Sequence, residues 1–398
     1  MSKQIQDAYI VAATRLPVAK RNGMFRNVRP DDMLAAVIKS VVAQVPDVDP
    51  ALIGDVIVGC AMPEAEQGMN VARIGALLAG LPITVPGLTI NRFCSSGVQA
   101  VSDAANLIRL GQADVMIAAG TESMSVMPQM MGNKMAMNSA IFNDEHVAIA
   151  YGMGLTAEKV AQQWKISREA QDQFALVSNQ RACAAIAAGH FKAETTPYTI
   201  RESLPDLKSG EIKLRERTVE FDEGPRADAS LERLGKLKPV FNVRGSVTAG
   251  NSSQMSDGAG AVMLVSEKIL KQHNLTPLAR FAGYAVGGVA PEIMGIGPIA
   301  AIPKALALAG IKQDDLDWIE LNEAFAAQSL AVIQELGLNP EKINPLGGAI
   351  ALGHPLGATG AIRTATVVHG LQRTGGKYGM VTMCIGTGMG AAGIFERV

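Results

Sequence analysis

The amino-acid sequence predicts an α/β protein made of two similar halves, with a different stretch of chain set between them. Three observations carry this reading. Residues Leu88 to Ser123 and Lys342 to Met389 read alike: each opens with a short extended segment ending in Ile-Asn, passes a loop of small residues, enters a helical pattern, breaks at Gly, and finishes in an apolar strand closed by Gly-Thr. Upstream of each lies a matching strand candidate after a short acidic turn, Asp55 to Gly59 (DVIVG) and Asp317 to Leu321 (DWIEL). Strands alternating with helices, twice over, point to α/β units around mostly parallel sheets.

The elements follow in chain order. An apolar β-like segment, Ala8 to Ala13, comes almost at once. In the first repeat Val98, Val101, Ala105 and Ile108 mark one face at helical spacing, and Ala361, Ala365 and Val368 do so in the second. Val115 to Thr121 (VMIAAGT) lies over Val381 to Thr387 (VTMCIGT). The intervening stretch, roughly Met124 to Ser246, reads as an insertion covering a site. It begins with Met124, Met127, Met130, Met131, Met135 and Met137, which suit either an adaptable apolar surface or ordinary helix packing. A helix is expected from Glu169 to Ala188, followed by a polar hairpin around RESLPDLKSGEIKLRERTVEF.

The 398 residues, 48% of them apolar, fit two or three domains with large cores. With 36 basic against 37 acidic side chains there is no electrostatic footprint for nucleic acid or an anionic membrane, so an anionic ligand must be held by local groups. Cys60, Cys94, Cys183 and Cys384 form no C-x-x-C pair, which points away from a zinc site or disulfide framework and toward a reducing compartment. No metal is expected. Neither a signal peptide nor an apolar run of the roughly 18 residues a membrane span needs is visible, so a cytoplasmic protein is the expectation.

Cys94, in NRFCSSGVQAV, follows a strand pattern and sits at the predicted start of a helix. A helix amino terminus favours a thiolate and offers N–H donors to an oxyanion, although an isolated Cys is more often a small buried hydrophobe. His354 shifts that balance. It lies in GGAIALGHPLGATGA, a loop occupying the place of the Cys94 loop in the second repeat, and two such loops facing each other bring an imidazole to a thiol. Cys384 ends an apolar strand in MVTMCIGTGMG, where a second thiol can give and take a proton beside glycines that let a substrate approach. Asn322 and Glu323 fall just past the DWIEL strand, where a carboxamide can bind a water or an oxygen anion. GMGAAG, Gly388 to Gly393, matches the dinucleotide fingerprint formally, but only IFERV follows, too short for the helix and strand such a site requires.

Taken together, NRFCSSG, TAGNSSQMSDGA, NEAFA, GGAIALGHPLGATG and CIGTGMG resemble the thiolase family, in its motif order and over essentially the whole chain. The resemblance implies a five-layer α/β/α/β/α sandwich: residues 1–123 plus 247–269 as the amino-terminal half, 124–246 as an inserted loop domain, and 270–398 as the carboxy-terminal half. It implies that Cys94 is the acylated nucleophile, His354 the base, and Cys384 the acid that protonates the departing acetyl-CoA carbanion. Asn322, through a water, and His354 resemble one oxyanion hole, and the N–H groups of Cys94 and Gly386 a second. Arg226 resembles a contact to the nucleotide end of coenzyme A, Ala249 and Ser253 contacts to its pantetheine arm, and Met153 and Phe325 pocket walls.

The implied reaction is cleavage of 3-ketoacyl-CoA by CoA to acetyl-CoA and a shortened acyl-CoA, with CoA as co-substrate and no other cofactor. Gly152-Met153-Gly154 and Cys94-Ser95-Ser96-Gly97 stand where acetoacetyl-CoA-forming relatives typically carry His-Met-Gly and Cys-Gly-Ser-Gly, so the wording is nearer the degradative members of β-oxidation. The alternatives are a biosynthetic acetoacetyl-CoA thiolase, a condensing synthase of the same superfamily, and a non-catalytic acyl-CoA binder. The family also implies a homodimer or homotetramer, with a β-oxidation hydratase/dehydrogenase subunit as a further partner.

Overall fold

A computed structural model of the chain describes residues 5–126, 138–206 and 208–398. The amino-terminal part supplies β1 (Ala8–Arg15), β2 (Ala19–Lys20), α1 (Pro30–Ala43), β3 (Ile53–Gly59), α2 (Val71–Leu78), β4 (Gly87–Ile90), α3 (Ser96–Arg109) and β5 (Val115–Ser123). The chain then leaves the sheet for α4 (Met153–Gln163), α5 (Arg168–Ala187), the hairpin β6 (Tyr198–Pro205) and β7 (Ile212–Val219), and α6 (Leu231–Gly235). It returns as β8 (Ser256–Ser266) and α7 (Glu267–Gln272). The remainder supplies β9 (Ala279–Gly288), α8 (Gly297–Ala309), β10 (Leu316–Leu321), α9 (Ala326–Leu336), α10 (Ala349–Leu352), α11 (Leu356–Thr374), β11 (Tyr378–Ile385) and β12 (Met389–Glu396).

The sheet shows the duplication directly. Its strand order is β10-β11-β12-β9-β1-β8-β5-β3-β4, with β2 beside β8. Read inward from one edge, β4, β3 and β5 are parallel, and β8 and β1 follow antiparallel. From the other edge Ile343 bridges Ile319 in parallel, β10 and β11 are parallel, and β12 and β9 follow antiparallel. Order and sense agree strand for strand. Among the described residues the two half-sheets meet at two residue pairs, Tyr9 with Arg280 and Ile10 with Ala279.

Helices α3 and α11 lie between the half-sheets: α11 packs on β1, β5 and β8 of one and on β10 and β11 of the other. Helices α1 and α2 cover the outer face of the first half-sheet and α8 that of the second. The layers are those the resemblance implies. The helical faces predicted from spacing are the buried ones, with Val98, Val101, Ala105, Ile108, Ala361, Ala365 and Val368 all 0% exposed.

One expectation needs correcting. The sheet is mixed rather than mostly parallel. Strand β8 arrives from the insertion instead of through a crossover helix, and β11 and β12 are joined by a three-residue turn that forces antiparallel pairing. The segment Pro291–Ala309 reaches a mean hydropathy of 1.4 over a span-length window, although Glu292, Pro298, Pro303 and Lys304 interrupt it. Its Ala301, Ile302, Ala305 and Leu306 pack into the core of the second half, so its apolarity serves the outer helical layer.

The central layer is unusually close. A Cβ on Gly97 of α3 would stand 2.5 Å from the backbone nitrogen of Ala361, and one on Gly360 of α11 would stand 2.1 Å from that of Val98. The glycines after His354 therefore let two helices touch backbone to backbone.

Candidate active site

Cys94 lies in a single 3-10 turn, Phe93–Ser95, that leads into α3. The turn is held by Ser96, whose Oγ accepts from the Arg92 N–H at 2.8 Å and donates to the Phe93 carbonyl at 2.7 Å. Phe93 has φ 44°, a left-handed conformation that non-glycine residues rarely adopt and that clusters at functional sites. His354 lies between the short α10 and α11, its N–H directed at Gln254 O (3.3 Å) and Ser256 Oγ (3.2 Å) on the approach to β8. Its Nδ1 is 2.7 Å from Thr359 Oγ1, and its Nε2 is 3.3 Å from Asn322 Nδ2. With Nδ1 protonated and donating to Thr359, Nε2 is left as the acceptor.

A cavity of about 510 Å³ joins these groups: Cys94, His354, Met153, Phe325, Ala249 and Ser253 all line it. Met124 lines it too, whereas Met127, Met130, Met131, Met135 and Met137 lie outside the described residues. A second cavity of about 260 Å³, lined by the exposed Arg226 and by Arg233 and Ser230, shares Ala249 and Gln254 with the first. Phe241 walls this space. Its ring crosses Phe325 edge-on with centroids 6.0 Å apart and rests on Gly154, where a Cβ would stand 2.2 Å from it.

Asn322 follows β10, its N–H donating to Thr382 O at 2.9 Å, which sets it beside β11. Asn322 Oδ1 is buried and has no hydrogen-bond partner among the described residues. Cys384, 0% exposed, packs with Ala324, Phe325 and Met294 behind the cavity, close enough to Cys94 that each thiolate would oppose the other. Gly386 stands just past the end of β11. A Cβ there would meet only Phe93 and Met153, at 3.7 and 3.8 Å, so its face is open. Gly388 is fixed by the turn instead, with φ 91° and the Val289 carbonyl 2.3 Å from where a Cβ would be.

The electrostatics differ from the expectation of a ready thiolate. Burial pushes the Cys94 thiol up to about 12, although the Gly386 N–H and its own N–H pull the other way. Desolvation outweighs the helix terminus because Cys94 is only 8% exposed and no cation lies against it. Burial, with the Arg363 charge adding to it, holds His354 down at about 3. Burial likewise raises Cys384 above the usual thiol range. The resting site therefore pairs a neutral thiol with a neutral imidazole whose Nε2 can accept a proton.

Residues 8–268 match the family described as Thiolase, N-terminal domain, and residues 275–397 match Thiolase, C-terminal domain. The chain belongs to the thiolase family. It is 49% identical over 395 residues to the 3-ketoacyl-CoA thiolase of Bacillus subtilis (strain 168), covering 98% of this chain and 100% of that one. Among solved structures it resembles the Bacillus anthracis acetyl-CoA acetyltransferase, with TM-score 0.90, 39% identity and full coverage of both chains. It also resembles human mitochondrial 3-ketoacyl-CoA thiolase, with TM-score 0.88, 41% identity and 99% coverage of each.

Several residues of this thiolase site were not singled out from sequence. Thr359 orients His354 from one helical turn on, and Gln254 ties its Nε2 amide to the carbonyls of Gly224, Ile350 and Ala351 beneath the histidine loop. Glu323, named but given no role, accepts from Ser178 Oγ (2.7 Å), Asn344 Nδ2 (2.8 Å) and Ile350 N–H (3.1 Å), bracing the same loop. Glu122 was not noticed. Its only signal is an acidic residue at the end of an otherwise apolar strand.

Proposed function

We propose that this chain cleaves 3-ketoacyl-CoA with CoA through an acyl-Cys94 intermediate, the degradative reaction named for its relatives. The observation that carries the reading is the neutral pair in one cavity, with two backbone N–H groups, of Cys94 and Gly386, directed at the sulfur. His354 Nε2 takes the Cys94 proton as sulfur attacks the 3-keto carbon. The oxyanion that forms on the attacked carbon is held by the N–H groups of Cys94 and Gly386, and carbon–carbon cleavage expels the enolate of acetyl-CoA, whose oxygen His354 and a water on Asn322 hold and whose carbon Cys384 protonates. The proton on His354 passes to the Cys384 thiolate, so that His354, neutral again, deprotonates the incoming CoA thiol; the same N–H groups of Cys94 and Gly386 hold the oxygen as CoA attacks the acyl carbon, and His354 returns its proton to the departing Cys94 sulfur. CoA lies along the path from Arg226 past Ala249 and Ser253, with Met153 and Phe325 as walls, and serves as co-substrate without another cofactor.

Mass spectrometry after brief exposure to 3-ketoacyl-CoA in the absence of free CoA is expected to place the acyl group on Cys94. Labelling of Cys60, Cys183 or Cys384 instead would remove the assignment. A rate series in acyl chain length separates degradative cleavage from a biosynthetic acetoacetyl-CoA enzyme, which would turn over the four-carbon substrate alone.

A homodimer belongs to the same proposal. Strand β4 is an edge strand with Leu88 47% exposed, and Ile83 and Met69 nearby in sequence are 83% and 91% exposed, an apolar margin suited to pairing with a second copy. A cytoplasmic location is proposed with it, in keeping with four unpaired cysteines.

A further inference from the structure

Glu122 is the buried acid that the chemistry above leaves unused. It sits in β5, is 0% exposed, and forms no ion pair among the described residues. Every group that meets its carboxylate is a donor. Oε2 accepts from the N–H of Ala61 at 2.7 Å and of Gly357 at 2.8 Å. Oε1 accepts from Gln67 Nε2 at 2.5 Å and the Met62 N–H at 3.3 Å, with the Cys60 thiol 3.7 Å away. Burial pushes the carboxyl above its ordinary range while these donors work to hold the charge.

Both loops that carry the chemistry hang from this carboxylate. Gly357 belongs to the first turn of α11, which also contains Thr359, the partner of His354 Nδ1. Ala61 leads the other way. Its carbonyl accepts from Asn91 Nδ2 at 2.9 Å, and Asn91 Oδ1 accepts from the N–H of Phe93 at 2.8 Å, the left-handed residue before Cys94. The two loops come from different halves of the chain, 260 positions apart, so no local connection sets their separation. We propose that Glu122 is a positioning residue that fixes the approach of Cys94 to His354. The inference rests on the reading that these two act together.

Glu122→Gln tests it. An amide has one acceptor oxygen for four N–H donors, and whichever way it turns its NH₂ faces two of them, Ala61 and Gly357 or Met62 and Gln67, so the 61–62 segment that carries Asn91 loses an anchor in either case. Steady-state cleavage of acetoacetyl-CoA is expected to show kcat, per chain folded by circular dichroism, lowered about 100-fold, the scale of a misplacement of about 1 Å. The KM for CoA should stay within about 3-fold, because Arg226, Ala249 and Ser253 are not among the Glu122 partners. Loss of fold alone would lower the folded fraction and leave kcat per folded chain unchanged. If the Gln variant does not fold, Glu122→Asp, which keeps the charge but draws it back by one methylene, is expected to lose about 10-fold in the same measure. A kcat per folded chain within about 3-fold of the native value in the variant tested overturns the proposal. A native protein that cleaves no 3-ketoacyl-CoA overturns the reading of function itself, and does so before any variant is compared.

Discussion

Gly360→Ala adds one methyl group where α11 meets α3, and the structure sets the size of the consequence. The new Cβ would stand 2.1 Å from Val98 N, 2.8 Å from Gly97 C and 3.0 Å from Val98 Cα. All three are backbone atoms, so no side chain can swing aside. Ordinary contact between such atoms lies near roughly 3.5 Å, and the helices must part by about 1 Å or more to reach it. The alanine gains about 1 kcal/mol of helix propensity, but overpacking costs about 1–3 kcal/mol, so net stability should fall only modestly.

Activity should fall much further. Helix α3 begins just after Cys94 and α11 just after His354, so separating the helices draws the imidazole from the thiol. A displacement of about 1 Å at reacting groups is worth about 100-fold in rate. The assay is kcat for acetoacetyl-CoA cleavage at a temperature where circular dichroism shows the variant fully folded. A folded variant with kcat within about 3-fold of native would refute the claim that this crossing sets the catalytic distance.

Three further outcomes are expected. Between His354 at about 3 and Cys94 at about 12 both groups are neutral, and proton transfer between them changes no net charge, so the acylation half-reaction should be flat from about pH 5 to about 9. An acid limb at pH 6–7 in pre-steady-state acylation would show an exposed, ordinary histidine. Cys384→Ala should slow turnover about 100-fold or more while leaving the CoA dissociation constant from calorimetry nearly unchanged, and near-native turnover would take Cys384 out of the chemistry. Arg15, 2% exposed, donates to Glu194 at 2.6 Å and to both oxygens of Asp222, so Arg15→Met strands two buried carboxylates. The cost should be about 3–5 kcal/mol in urea unfolding, and a loss under about 1 kcal/mol would mean that water already reaches the pair.

What was legible in the sequence is what is local to a short motif. Cys94, His354, Cys384 and Asn322 each sit at a strand end or helix start that the surrounding ten residues reveal, and the repeated order of elements disclosed the duplication. Strand direction was not legible. All eleven residues of β8 are buried, so it reads like a strand of a parallel sheet although its neighbours β1 and β5 run antiparallel to it. The charge state of Cys94 is not legible either, for a related reason. A helix start is visible in sequence, whereas the desolvation that outweighs it comes from Met153, Phe325 and Leu356, which line the same cavity from distant segments. Glu122 was invisible because its partners at 61, 62, 67 and 357 mean nothing as a set until the chain is folded.

Duplication offers two equivalent places for a site, and the structure shows why one is closed. Laying VMIAAGT over VTMCIGT pairs Gly120 with Gly386 and, two residues on, Glu122 with Gly388. At Gly120 the first turn of α11 fills the space: a Cβ would stand 2.6 Å from Gly357 O and 2.7 Å from Ala358 Cα. The Glu122 carboxylate then secures that turn through the Gly357 N–H. At Gly386 no atom of the described residues beyond its chain neighbours comes closer than 3.7 Å to the same point, and the chain turns back through Gly388 into β12. The strand end in the first half is thus spent on anchoring the helix that follows His354. The equivalent strand end in the second half is left open, with its N–H turned to Cys94, where charge develops only once a substrate carbonyl has entered.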